Sequence, residues 1–201
     1  AGGATSLQRK ALVSAVDSGG ASAMHHAAAC PSAEVVAMLL DAGTPLELAD
    51  RDGFTALVAA AAAPEPVAAE VTALLIAQAK EDHEEEKAWD DWLMVWEAAT
   101  VKHGDGDAVA MTALHAAVLT GSAAVVKMLC SNSATSGGLG LADASGATPL
   151  GSAVSGNVRA TSRAEYEAVI LALLDGGAAA ADKAAALADP DHAGNAIPAL
   201  V

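Results

Sequence analysis

The stretch Thr112–Cys130, TALHAAVLTGSAAVVKMLC, restricts the fold more than any other part of the chain. It reads as two short helices joined by a tight turn. Thr112 is placed to cap the first helix, its hydroxyl accepting from a first-turn amide. Leu114, Ala117 and Val118 follow at helical spacing and predict one apolar face. Ala116 and Ala117 are small, so a neighbouring helix can approach closely. Gly121 ends the helix, a role suited to a residue that tolerates positive φ. Val125, Val126, Met128 and Leu129 give a second, antiparallel helix its apolar face. One such pair cannot bury its own apolar faces, so copies must stack on it.

The chain supplies the copies. A short signature precedes each helix pair: Asp, then Gly three residues on, then Ser or Thr two further. Asp17/Gly20/Ser22, Asp50/Gly53/Thr55 and Asp143/Gly146/Thr148 fit in full. Asp107/Thr112 fits with Ala110 in the Gly place, and Asp191/Gly194 fits with Ala196 in the Thr place. Asp bonds nearby amides and Gly accepts unusual φ, so the signature predicts a tight turn. The Thr-x-Leu-His-x-Ala opening, the turn Gly and the Val-Val-Lys-Met-Leu run resemble the ankyrin-repeat family. The resemblance implies an all-α ankyrin-repeat solenoid of stacked antiparallel helix pairs with short hairpin fingers. It also implies protein–protein recognition through the finger tips and the concave helix face.

The spacing locates the departures from a regular array. The Thr-like positions 22, 55, 112, 148 and 196 are separated by 33, 57, 36 and 48 residues, against a family period of about 33. Repeats are therefore expected at 16–48, 49–79, 106–141 and 142–177, with degenerate caps over 1–15 and 178–201. Leu7–Val16 reads as a capping helix or as part of a degenerate repeat. In the first repeat the helices are expected at Met24–Ala29 and Glu34–Leu40. Pro31 breaks the chain between them and Gly43 closes the second. In the second, Pro64 and Pro66 stop the first helix and Glu70–Gln78 forms the other. Residues 80–105 are read as a helical insertion bearing Trp89, Trp92 and Trp96. Ser131–Gly140 is expected to be a Ser/Gly-rich loop. Asn157–Arg163 lengthens the last inter-helix turn before a helix over Ala164–Leu174. An Ala-rich stretch, Ala178–Ala188, leads to a last copy that can form only a finger and a short cap.

Charge narrows the partners. Ten Lys and Arg stand against 25 Asp and Glu, a formal net charge of −15. A polyanion repels nucleic acid and anionic membrane surfaces and favours a basic partner. Cys30 and Cys130 lie at different places in their repeats, so no disulfide is expected and a reducing compartment is the simple reading. The longest strictly apolar run, Ala56–Ala63, is far too short to span a bilayer. Residue 1 is Ala, and no hydrophobic signal core is present. One reading is an organellar chain, of chloroplast or mitochondrion, after removal of a targeting segment.

No motif for chemistry survives inspection. His25 and His115 occupy the His place of the ankyrin motif and are expected to fix the turn before each helix. His26 is read as a surface residue. His83-Glu84-Glu85-Glu86-Lys87 starts like a zinc-protease helix, but Lys87 stands where the second His ligand is needed. Asp105 and Asp107 suggest a calcium loop, yet position twelve from Asp105 is Ala116 and not Glu. No enzyme, cofactor or metal site is therefore expected.

The tryptophans ask for a separate explanation. Trp89, Trp92 and Trp96 fall on one stripe of a helix, with Leu93 beside them. Together they carry roughly 450–750 Å² of buriable surface, against roughly 300–600 Å² for the largest apolar patch of an ordinary monomer. The insertion folds back on its own repeats or binds a partner; a membrane-interface helix is a third reading, to which Glu84–Glu86 and Asp90–Asp91 are poorly suited. The candidate partner-binding residues are Trp89, Trp92, Trp96 and Leu93, with Arg51, Asp52, Asp105 and Ala144 at the finger tips. Two functions fit: a peripheral subunit of a larger assembly, organellar and attached to a membrane protein complex in one version, or a free adaptor that binds transiently.

Overall fold

A computed structural model describes residues 6–30, 32–82, 98–103, 106–132, 137–143, 145–156, 158–160 and 162–176. A short helix, α1 (Ser6–Val13), precedes the first helix pair, α2 (Ala23–Ala29) and α3 (Ala33–Asp41). The second pair is α4 (Ala56–Ala61) and α5 (Val67–Asp82). A two-stranded antiparallel hairpin follows, β1 (Ala98–His103) and β2 (Gly106–Thr112). The third pair is α6 (Ala113–Thr120) and α7 (Ala123–Asn132). A single helical turn, α8 (Gly137–Gly140), leads to the fourth pair, α9 (Pro149–Val154) and α10 (Arg163–Asp175).

The pairs stack in two rows. The first helices pack in the order α2, α4, α6, α9, and the second helices in the order α3, α5, α7, α10. Each pair also packs internally, so one apolar core runs through the stack. Helix α6 lies inside this core, and Ala113 through Val118 are all buried. The single apolar face expected there is therefore too narrow. With α4 on one side, α9 on the other and α7 behind, the helix is covered nearly all round, which alanine permits by its size.

The caps follow the sequence. Thr112 accepts from the amide of His115 at 3.2 Å, Thr148 from that of Gly151 at 3.1 Å and Ser162 from that of Glu165 at 3.2 Å. Gly121 closes α6 in the left-handed region, at φ 81°. Side chains also tie one pair to the next. The Thr120 hydroxyl donates to the Ala61 carbonyl at 3.1 Å. Ser122, which caps α7 by accepting from Val125 at 3.1 Å, donates to the Glu65 carboxylate.

Four expectations need correction. Helix α1 stops at Val13, because Val16 pairs with Ser22 in the first finger. Helix α5 is longer than expected and runs to Asp82, since no Pro or Gly interrupts it. Gly137–Gly140 is helical and not loop, with Leu139 buried in the core. The end of the expected helical insertion, Ala98–His103, is a β-strand. Its Ala-Ala-Thr-Val run pairs with β2, where β-branched residues suit a strand better than a helix. The rest of the insertion beyond Asp82, with Trp89, Trp92, Leu93 and Trp96, lies outside the described residues, as does the chain after Gly176. Gly176, which ends α10, is not in the left-handed region. A Cβ there would lie 2.7 Å from the Cys130 side chain, so close approach excludes a larger residue.

Candidate partner-binding surface

Three fingers share one construction. In the first, the Asp17 carboxylate accepts from the amides of Gly19 at 2.7 Å and Ala21 at 3.0 Å. In the second, Asp50 accepts from Asp52 at 2.9 Å and Phe54 at 2.9 Å. In the fourth, Asp143 accepts from Ser145 at 2.8 Å and Ala147 at 3.0 Å. The turn Gly sits at φ 82°, 81° and 84° at positions 20, 53 and 146. A side chain is strained there, and the carboxylate satisfies amides that the reversal leaves without backbone partners.

The third finger breaks the rule, and the sequence shows why. Ala110 stands in the Gly place, and alanine pays to enter the left-handed region. No residue other than Gly has a positive φ among the described residues. The chain stays extended instead. Asp107 lies within β2 and pairs with Lys102, so its assignment as a tight-turn aspartate is corrected. The finger becomes a longer hairpin with a bulge between Ala99 and Thr100.

Histidine locks one finger to the next. In His115, Nδ1 lies 2.8 Å from the Thr112 hydroxyl and 3.4 Å from the Thr112 amide. Nε2 lies 2.9 Å from the Ala147 carbonyl in the following finger. An amide can only donate and a carbonyl can only accept, so the ring is neutral with its proton on Nε2. Burial holds the His115 pKa below 6.5, against the opposing pull of the Ala147 carbonyl and Asp143. His25 repeats the arrangement, with Ser22 on Nδ1 at 2.8 Å and the Phe54 carbonyl on Nε2 at 2.9 Å. The sequence indicated that each ring fixes the turn before its helix. The link across to the next finger was not legible, because its acceptor is a backbone carbonyl 29 or 32 residues away.

Neighbouring fingers also touch directly. The Arg51 amide donates to the Gly19 carbonyl at 2.9 Å. A Cβ on Gly20 would lie 2.9 Å from that same nitrogen. Outside this contact, the Arg51 and Asp52 side chains are exposed. Asp105 and Ala144 lie outside the described residues. His26 is exposed but not idle, since its Nε2 meets Asp17 at 2.8 Å. That contact, with the Gly19 and Ala21 amides, holds the Asp17 carboxyl below its usual range. At Asp143, burial pushes the pKa up, but the Ser145 hydroxyl and the Ala147 and Ser145 amides together bring it down.

Little in the stack suits a small ligand. Among the described residues no three His, Cys, Asp or Glu side chains are grouped to hold a metal ion. A cleft of about 350 Å³ between α7 and α10 is lined by Lys127, Cys130, Ser131, Ala172, Asp175 and Gly176. Its two charges, Lys127 and Asp175, are exposed, so water competes for any contact they offer. Cys30 and Cys130 are not joined by a disulfide. No described helix is long and apolar enough to cross a membrane.

Stacked helix pairs, Asp-Gly fingers and a finger-locking histidine describe one architecture. Residues 111–136, the end of β2 through α7 and the few residues beyond, match the Ankyrin repeat family. This stretch of the chain is an ankyrin repeat. No curated protein matches it. Ankyrin repeats are protein–protein interaction modules and typically not enzymes.

Proposed function

We propose that the chain is a scaffold that holds a protein partner on its finger row, as a peripheral subunit of a larger assembly. In its fullest form this assembly is organellar and bound to a membrane through its other proteins. The observation that carries the scaffold reading is the rigidity of the fingers. Carboxylate clamps, positive-φ glycines and the His25 and His115 locks fix the backbone before any partner arrives. A surface ordered in advance loses less entropy on binding. The subunit reading draws on Trp89, Trp92 and Trp96, which suit an interface that is never left open to water. The tip residues Arg51, Asp52, Asp105 and Ala144 would read the partner's backbone and charge.

A second reading, a free adaptor, is favoured by the acidity. A partner held mainly by charge is released as salt rises, because screening shortens to about 3 Å at 1 M. Gel filtration of native extract separates the two. A subunit elutes only with its complex and stays there in high salt. A chain found mostly free, or stripped from its complex by salt, overturns the subunit reading.

A further inference from the structure

Each second helix carries Val and, four residues on, Leu: Val35/Leu39, Val71/Leu75, Val125/Leu129 and Val169/Leu173. The pairing aligns the four helices and allows the same position to be compared along the stack. Val71, Val125 and Val169 are fully buried, at 0% exposure, and so are the three leucines that follow them. Val35 is 45% exposed, and Leu39 is only partly buried. The residue before the Leu behaves alike. Leu74 and Met128 are partly buried and Ala172 is buried, whereas Met38 is 71% exposed.

The difference is positional. Helices α5, α7 and α10 each pack against the second helix of the preceding pair, and α3 has no such neighbour among the described residues. The element before the first pair, α1, leaves Val35 and Met38 bare and makes no comparable contact with α3. Leu12 and Val16 are exposed too, at 75% and 53%. Among the described residues, four of the five exposed large apolar side chains thus fall in the first 38 residues, with Leu171 the exception.

We propose that the bare face of α3, Val35 with Met38, is a docking site for an amphipathic helix of a partner protein. That helix lies where α5 lies against α7, with an aliphatic stripe on α3 and Lys or Arg at its margins. The stripe follows from the three junctions inside the chain, where the equivalent Val is covered by a helix each time. The basic margins follow from charge. Glu34 and Asp41 are exposed on α3, and the helix has no basic residue. A second copy is disfavoured as occupant by the repulsion of two chains at −15 each. Among the described residues, this surface lies at the end of the stack.

The test uses the full chain and a synthetic peptide of residues 67–82, the α5 sequence, carrying Glu70→Lys, Glu81→Lys and Asp82→Lys. Binding is read by calorimetry, with circular dichroism to check each variant's fold. The expected result is saturable binding that Met38→Asp weakens tenfold or more and Leu171→Asp leaves unchanged. Should Met38→Asp disturb the fold, Met38→Gln replaces it, with the same direction expected. Absence of saturable binding, or equal binding by the Met38 variants, overturns the proposal. Equal weakening by Leu171→Asp marks general adhesion and also overturns it. A chain that sedimentates as a dimer, and as a monomer after Met38→Asp, would give the face to a second copy instead.

Discussion

Replacing His115 with alanine tests the finger lock where its parts are best defined. The substitution removes the Nε2–H···O bond to Ala147 and the Thr112 hydroxyl bond to Nδ1, at 2.9 and 2.8 Å. Thr112 is fully buried, so its hydroxyl loses an acceptor with no water to replace it. An orphaned buried group costs about 1–3 kcal/mol, and an ordinary lost bond about 0.5–1.5 kcal/mol. Ala147 is only half-buried, so its carbonyl belongs in the smaller class. The emptied ring volume adds a packing loss, and together these give about 3–5 kcal/mol. Urea unfolding at neutral pH reads the loss directly. His26→Ala serves as the control: its ring is exposed and bonds only Asp17, so the midpoint should stay near that of the parent chain.

The same residue predicts a pH dependence. Its folded pKa is lowered from 6.5 by burial. Below pH 6.5 the unfolded chain takes up a proton at this position while the folded chain does not. Stability therefore rises with pH across this window and is lost as pH falls from 6.5 toward the lowered value. His115→Ala should remove that part of the slope. A loss below about 1 kcal/mol, or a slope unchanged by the substitution, would refute the assignment of a neutral, doubly bonded ring.

Three other outcomes are expected. Leu114→Ala should cost about 2–5 kcal/mol in thermal or urea unfolding, since the side chain is buried between α4 and α9; an unchanged melting temperature would contradict the stacking. Thr72→Val should stabilise by about 1–3 kcal/mol, because the Thr72 hydroxyl is buried with no hydrogen-bond partner; a destabilised variant would mean the hydroxyl is satisfied. If the tryptophans bind a partner, Trp92→Ala and Trp96→Ala should each weaken that binding by roughly 2 kcal/mol or more and spare stability. Indole emission already shifted to the blue in the free chain would contradict this and assign them to self-packing.

The sequence disclosed the repeats because their determinants are local. Ser22, Thr112 and Thr148 cap helices within four residues of themselves, and Gly20, Gly53 and Gly146 set turns without reference to the rest of the chain. What it hid was set by neighbours. The covering of α6 on nearly every side depends on α4, α7 and α9 at once. The partner of His115 Nε2 is a carbonyl, which no residue type announces. The third finger lay between these cases. Ala110 stands out as the exception to Gly, but the outcome depends on a neighbour: an alanine kept out of the left-handed region leaves an extended strand, and a strand needs a partner. The predicted helix at Ala98–His103 failed for that reason. Of the candidate binding residues, Arg51 and Asp52 are placed at an exposed tip, and this much follows from the Asp-Gly turn that flanks them.

The position of the long hairpin explains how the array tolerates an insertion of this size. Helix rows α3–α5–α7–α10 and α2–α4–α6–α9 hold the apolar contacts, and added chain inside either row would separate faces that must touch. The link from the end of α5 to Thr112 belongs to neither row. Extra residues there leave the contact of α5 with α7 and of α4 with α6 intact. The cost of a longer loop grows only slowly with its length. The stack therefore carries the tryptophan-bearing segment without giving up its core. The same logic makes the segment removable. Replacing residues 83–105 by a short finger with Gly at position 110 should leave the helix pairs folded, as read by helical circular dichroism and a cooperative melt. If Trp89, Trp92 and Trp96 serve a partner, that deletion should abolish binding in a chain that still folds. A deletion that unfolds the stack would show instead that the segment completes the core.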